Sequence, residues 1–247
     1  MIDITCTATR RPEILDKTLA SFKKNMFHDR PCCLIINVDP VGDDILSSEI
    51  FALASEYFPR IVYRSPDEAN FPQAFIWTWT HATSDFVFHL EDDWELLVPI
   101  DLDAMLAKMK EIPDLMGLRL HWRRTEEECK PFARTIPYNA EDGFFEPVEA
   151  MRNPEGICGH PTLFRHKFIS TVLPYMTLDK NPEKQLRYNK HTAQVIREHR
   201  WGIWGKQFEP PQIRDLGRAW IADSGWRKAG SRAFFKKWEK IPIEETE

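Results

Sequence analysis

Along the first hundred residues, short apolar runs alternate with stretches whose apolar positions recur at helical spacing. Residues 2–8 form an apolar-rich run of strand length. Pro12 then sits where the first turn of a helix accepts proline, and the pattern predicts a helix to about residue 24. Residues 32–38 predict a second strand, closed by Asp39 and Pro40. Residues 43–58 place Ile45, Ile50, Leu53, Ala54 and Tyr57 on one helical face. Residues 60–64 predict a third strand, 71–82 an aromatic-rich helix and 85–90 a fourth strand. Strands separated by helices of this length predict an α/β fold, with a mainly parallel, Rossmann-like sheet flanked by helices.

The second half is less regular. It predicts a helix at 101–110, a strand at 115–122 and another near 144–148. Between them, residues 123–143 are polar, carry Pro131 and Pro137, and read as a long loop. Residues 152–162, with Pro154, Gly156, Gly159 and Pro161, are irregular and lead into 163–173. A helix at 182–200, a strand at 201–208 and one or two helices at 217–237 complete the pattern. Neither repeat nor linker interrupts the chain, so one domain over 1–247 is expected.

Composition narrows the class. The chain is 43% hydrophobic with nine Trp, which suits a globular core. A net charge of −5 argues against a general polyanion binder and leaves room for a local basic patch. Cys6, Cys32, Cys33, Cys129 and Cys158 are odd in number and lack a C-x-x-C spacing. Neither a disulfide framework nor a zinc site is expected, and a reducing, cytoplasmic setting is. The N-terminus lacks the basic and apolar regions of a signal peptide, and no run approaches a membrane span.

The chemistry gathers at the end of the fourth strand, where an apolar run stops in Glu91, Asp92 and Asp93, followed by Trp94. Crowded carboxylates repel one another, and a hard divalent cation is the usual remedy. The same triplet in solvent is an ordinary acidic turn, but the apolar neighbours point it into a crevice. Alternation sets Glu91 and Asp93 on one side of the strand and Asp92 on the other. In parallel sheets ligands bind at the strands' carboxyl ends. Residues 7–10, Asp39 and the triplet all fall at such ends.

Ile4-Thr5-Cys6-Thr7-Ala8-Thr9-Arg10-Arg11-Pro12, Asn70 with the helix from Gln73 to Ala82, and Leu90-Glu91-Asp92-Asp93-Trp94 together resemble a known family. They are similar to the opening strand and the E-D-D variant of the DXD motif in GT-A-fold, family 2-like glycosyltransferases. The resemblance covers residues 1–100 and is weaker from 101 to 247. It implies transfer of a sugar from a nucleotide diphosphate donor, a UDP-sugar by expectation, with Mn2+ or Mg2+. Residues 1–100 would bind the donor and 101–247 the acceptor.

By the same resemblance, Thr7, Ala8, Thr9 and Arg10 border the nucleotide, with Arg10 near phosphate or base. Asp39 contacts base or ribose, Asn70 belongs to the donor site, Glu91 and Asp92 contact the nucleoside, and Asp93 is the main metal ligand. In the second half Glu183, at a helix start, is the candidate base that deprotonates the acceptor, with Asp179 and Glu155 as alternatives; a retaining enzyme would need none. Asp215 stands where family members supply a further metal ligand, commonly His. Arg214 and Arg218 would contact the diphosphate, and His160 would wall the sugar or acceptor. Plainer roles compete: Arg10 in a salt bridge, Asp39 as a turn former, Glu183 on the helix dipole, Arg214 and Arg218 on a solvated face.

Trp94, Trp122, Trp201, Trp204, Trp220 and Trp226 are candidate stacking surfaces, whereas Trp77 and Trp79 suit the core. Arg227, Lys228, Arg232, Lys236, Lys237 and Lys240 interleave with Trp226, Phe234, Phe235 and Trp238. That tail suits an amphipathic packing helix or a nucleic-acid contact. The acceptor is therefore expected to be a glycan hydroxyl or a hydroxymethylated DNA base of viral type. Two other classes compete. A nucleotidyltransferase would carry a Gly-rich phosphate loop, which Thr-Ala-Thr-Arg-Arg-Pro is not; a nucleotide-sugar-binding protein without catalysis would keep the acids.

Overall fold

A computed structural model of the protein describes residues 1–122, 143–146, 159–205, 210–229 and 237–241. The first half alternates as the pattern predicts: β1 (Ile2–Arg10), α1 (Pro12–Phe22), β2 (Cys32–Gly42), α2 (Ser47–Tyr57), β3 (Ile61–Arg64), α3 (Phe71–His81) and β4 (Phe86–Glu91). A short strand β5 (Trp94–Leu96) and helix α4 (Leu102–Glu111) lead to β6 (Leu115–Arg119). Strands β7 (Phe144–Phe145) and β8 (Thr162–Arg165) follow, then helices α5 (His166–Val172), α6 (Pro182–Tyr188) and α7 (Lys190–Glu198). The chain continues through β9 (Arg200–Trp204), β10 (Ile213–Asp215), α8 (Gly217–Asp223) and a hairpin of β11 (Trp226–Ala229) and β12 (Lys237–Lys240).

Eight strands form one sheet in the order β3-β2-β1-β4-β8-β6-β9-β7. The fold is mixed α/β, as expected. Strands β1 to β4 run parallel, β6 and β9 share their direction, and only β8 and β7 oppose them. Both halves of the chain thus contribute to one sheet.

β1 is buried along its length except at Arg10, the signature of a central parallel strand covered on both faces. Its neighbour β4 shows how alternation feeds two cores. Phe88 packs on one face against Phe22 and Phe27, with ring centroids 5.7 and 5.3 Å away. Val87 and His89 face the other, where Trp79, Phe164, Phe168 and Trp201 cluster. His89 Nδ1 lies 3.2 Å from Thr5 Oγ1 and 3.4 Å from Trp79 Nε1, and burial pushes its pKa down to about 3. It is a neutral core residue at neutral pH.

Three sequence expectations are corrected. The single helix expected at 182–200 is two, α6 and α7, because Asn189 leaves helical geometry and its Oδ1 accepts from the amide of His191 at 3.0 Å. The tail expected to be helical to 237 is instead α8 followed by the β11–β12 hairpin. Gly225, with φ +68°, stops α8 in the left-handed conformation that glycine favours. Trp94 and Trp201, candidate stacking surfaces, are buried in the core. Residues 123–142 of the loop expected at 123–143, together with Glu155, Gly156, Cys158, Arg232, Phe234, Phe235 and Lys236, lie outside the described residues. Cys6, Cys32 and Cys33 are free thiols. No described helix is long and apolar enough to cross a membrane.

Candidate functional site

Register brings three strand ends together. In β1, Thr7 pairs with Glu91 of β4 and Thr9 with Asp39 of β2. They open on a cavity of about 450 Å3, which also touches Phe71 and Pro72 of α3, Glu183 and Lys184 of α6, and Trp238 of β12. A larger groove of about 800 Å3, between Met26–Pro31 and Pro99–Asp103, lies at the amino end of β2. It holds none of the strand-end groups, so the smaller cavity is the candidate site.

Asp92 is buried, and both its carboxylate oxygens accept hydrogen bonds. Its Oδ2 accepts from the Thr9 amide at 2.8 Å, Thr9 Oγ1 at 3.1 Å and Arg11 Nε at 3.3 Å. Its Oδ1 takes Arg11 Nη2, and its backbone oxygen accepts from Thr18 Oγ1 of α1 at 2.7 Å. Arg11 also reaches Asp93 Oδ2 at 3.3 Å, and its guanidinium lies 4.9 Å from the Trp220 ring. Burial opposes the charge on Arg11, but Asp92 and Asp93 more than offset it and raise its pKa. The sequence places Arg11 in the opening motif beside Pro12 but assigns it no role.

Asp93 lines the cavity with about a fifth of its side chain exposed. Its carboxylate abuts the start of α8, where a Cβ on Gly217 would stand 2.1 Å from Asp93 Oδ2. Only glycine lets the two approach so closely. The Leu216 amide donates to the Asp93 backbone oxygen at 2.8 Å. Glu91 and Glu183 meet at Gly159: Glu183 Oε1 accepts the Gly159 amide, and a Cβ there would stand 2.9 Å from Glu91 Oε1 and 3.1 Å from Glu183 Oε1. Sequence spacing could not have revealed this meeting of β4, α6 and Gly159.

Asp39 is buried at the cavity edge. Its Oδ1 accepts from Asn37 Nδ2 at 2.8 Å and its Oδ2 from the Asn70 amide at 3.1 Å. Asn70 itself caps α3, accepting from the Gln73 amide at 2.9 Å. Burial lifts the Asp39 pKa from 3.8 to about 6, against those two hydrogen bonds. The sign of the linkage follows. A raised carboxyl pKa favours the fold below pH 3.8, and that contribution is lost as pH rises through about 6. Asp39→Asn removes an ionisation penalty of about 3 kcal/mol and one of two hydrogen bonds worth about 1 kcal/mol. The variant should therefore be about 2 kcal/mol more stable than wild type at pH 8 and lack the decline between pH 4 and 6. Urea unfolding across pH checks this; parallel pH curves would contradict it.

Other residues read from the sequence lie elsewhere. Arg10 turns from the cavity, its Nε donating to Ser47 Oγ at 3.3 Å. Arg214 pairs with Glu95 across the β10–β5 ladder. Asp215, two residues before α8, accepts from the Arg218 amide at 3.2 Å and pairs with Arg218 Nε at 3.0 Å. Arg218 also lies 5.7 Å from the Trp122 ring. His160 sits edge-on to Trp94 and Trp122, at 5.0 and 5.3 Å. Asp179 is fully exposed, held below the usual carboxyl range by a Thr177 hydrogen bond. Thr7, Ala8, Thr9, Asp39, Glu91, Asp92, Asp93 and Glu183 are the ones brought together.

No protein-family model and no curated protein matches the chain. Solved structures match its fold. S. aureus TarS superposes with a TM-score of 0.56 at 11% identity, over 83% of this chain and 35% of that one. TarS 1–349 in complex with UDP-GlcNAc gives 0.54 at 11% identity, over 84% and 57%. The mannosyltransferase PcManGT from Pyrobaculum calidifontis, in complex with GDP-Man and Mn2+, gives 0.55 at 12% identity, over 84% and 55%. The chain thus spans between about a third and three-fifths of these proteins. The fold is the GT-A-like fold these glycosyltransferases share.

Proposed function

We propose that the chain is a metal-dependent glycosyltransferase that moves a sugar from a nucleotide diphosphate, a UDP-sugar, to a hydroxyl acceptor. One observation carries the reading: Asp39, Glu91, Asp93 and Glu183 line one cavity at the carboxyl ends of β1, β2 and β4. The neighbours in complex with UDP-GlcNAc and with GDP-Man and Mn2+ support it. The donor atoms suit a hard cation, Mn2+ or Mg2+. Five carboxylates line the cavity together with Arg11 and Lys184, and such ions bind through one or two carboxylates completed by substrate phosphates.

Asp93 would hold the ion, with Glu91 beside it. Bound there, the ion would offset the charge that gathers on the departing diphosphate. Thr7, Ala8 and Thr9 would border the nucleotide and Asp39 accept from base or ribose, braced by Asn70. Arg214, Arg218 and Asp215 would first have to leave their present partners, so Lys184 is the better cation for the diphosphate. Glu183 would receive the acceptor proton. The proposal keeps residues 1–100 as the donor half and 101–247 as the acceptor half, in a cytoplasmic setting.

The acceptor would be a glycan or a hydroxymethylated DNA base, and a turnover panel decides. UDP- and GDP-sugars are offered with Mn2+ and either oligosaccharides or hydroxymethylcytosine-containing DNA. Release of nucleoside diphosphate from one donor, dependent on Mn2+ and on one acceptor class, is expected. Intact donors throughout would contradict the proposal.

A further inference from the structure

We propose that Arg11 is a positioning residue: a built-in counter-cation that makes Asp92 an anchor rather than a ligand and sets how tightly Asp93 takes a metal ion. The inference rests on the metal–diphosphate reading above and deepens it. Asp92 receives four donors, two from Thr9 and two from Arg11; three fall on Oδ2, and Oδ1 is held by Arg11 Nη2. It is 3% exposed, and the Arg11 side chain 5%. The guanidinium is fixed from three sides: it forks onto Asp92, touches Asp93 and lies over Trp220. A lysine could supply the charge but neither the fork nor the flat face. The acidic triplet therefore divides: Asp92 neutralises Arg11, and Asp93 feels what charge remains.

The signs follow from Coulomb's law. Asp92→Asn leaves the full Arg11 charge bearing on Asp93, so Mn2+ affinity falls, but on the order of tenfold rather than completely. Arg11→Gln raises affinity by a similar factor. Removing one partner of a buried pair is strongly destabilising, so Arg11→Gln alone could fail to fold. The double variant Arg11→Gln/Asp92→Asn avoids an uncompensated buried charge and should bind Mn2+ within about threefold of wild type.

The test is an electron paramagnetic resonance titration of each variant with Mn2+ alone, with circular dichroism to confirm the fold. Weakened but measurable binding by Asp92→Asn, near-wild-type binding by the double variant and no binding by Asp93→Asn support the proposal. Complete loss in Asp92→Asn, matching Asp93→Asn, would make Asp92 a ligand and overturn it while leaving the transferase reading intact. A double variant weakened tenfold or more also overturns it. If the wild type binds no Mn2+ with or without UDP, the metal reading falls and takes this proposal with it.

Discussion

Asp93→Asn is expected to abolish Mn2+-dependent binding of a nucleoside diphosphate, weakening it at least about 100-fold. Residues that merely orient a metal ligand cost 10–100-fold in affinity when replaced, so the ligand itself should cost no less. The effect should be specific. Asp93 is partly exposed, and the buried pair of Arg11 with Asp92 survives its loss. Stability should therefore change by no more than about 1 kcal/mol, the scale of a partly exposed ion pair. Calorimetric titration with UDP and Mn2+, alongside thermal unfolding, makes the comparison. Unchanged UDP affinity would remove Asp93 from the metal site.

Glu183→Gln should lower turnover by about 10^2–10^4-fold, the range that general-base catalysis contributes. Donor binding should stay as it is. Glutamine keeps a side-chain oxygen to accept from the Gly159 amide, so α6 and Gly159 hold their places. What it loses is the capacity to take a proton. Glu91, which also lies beside Gly159, has the proposed donor role: its loss should weaken donor binding, whereas the loss of Glu183 should not. Single-turnover rates and donor affinity, measured on the same preparation, separate the two. Wild-type turnover in Glu183→Gln would discard it as the base.

The strand ends that open on the cavity were legible because their signals are local. An apolar run that stops in three acids, and a strand that runs into Pro12, mark two neighbouring strand ends without any long-range information. Arg10 and Arg11 show the limit. They are chemically identical and adjacent, and the pairing of β1 with β2 shifts register between Thr9 and Arg10. That irregularity leaves Arg10 on Ser47 and Arg11 on the acids. One signal pointed to Arg11, its place at the junction of strand and helix beside Pro12. The cavity's far wall depends on contacts that sequence spacing does not encode. Glu183 reaches Gly159 across 24 positions, and Trp238 reaches the cavity from a hairpin. Gly225, with φ +68°, ends α8 ahead of those strands, a signal that the helical pattern read through it overruled.

The central claim is that the cavity at the ends of β1, β2 and β4 is a site for a nucleotide diphosphate held through a divalent cation. Isothermal titration of UDP, and in parallel GDP, into the wild-type chain with Mn2+ and again with excess chelator tests it most directly. One nucleotide binding with one-to-one stoichiometry in Mn2+, and at least about tenfold more weakly in chelator, is the predicted result. Equal affinity in both, or no binding of either nucleotide in Mn2+, would contradict it.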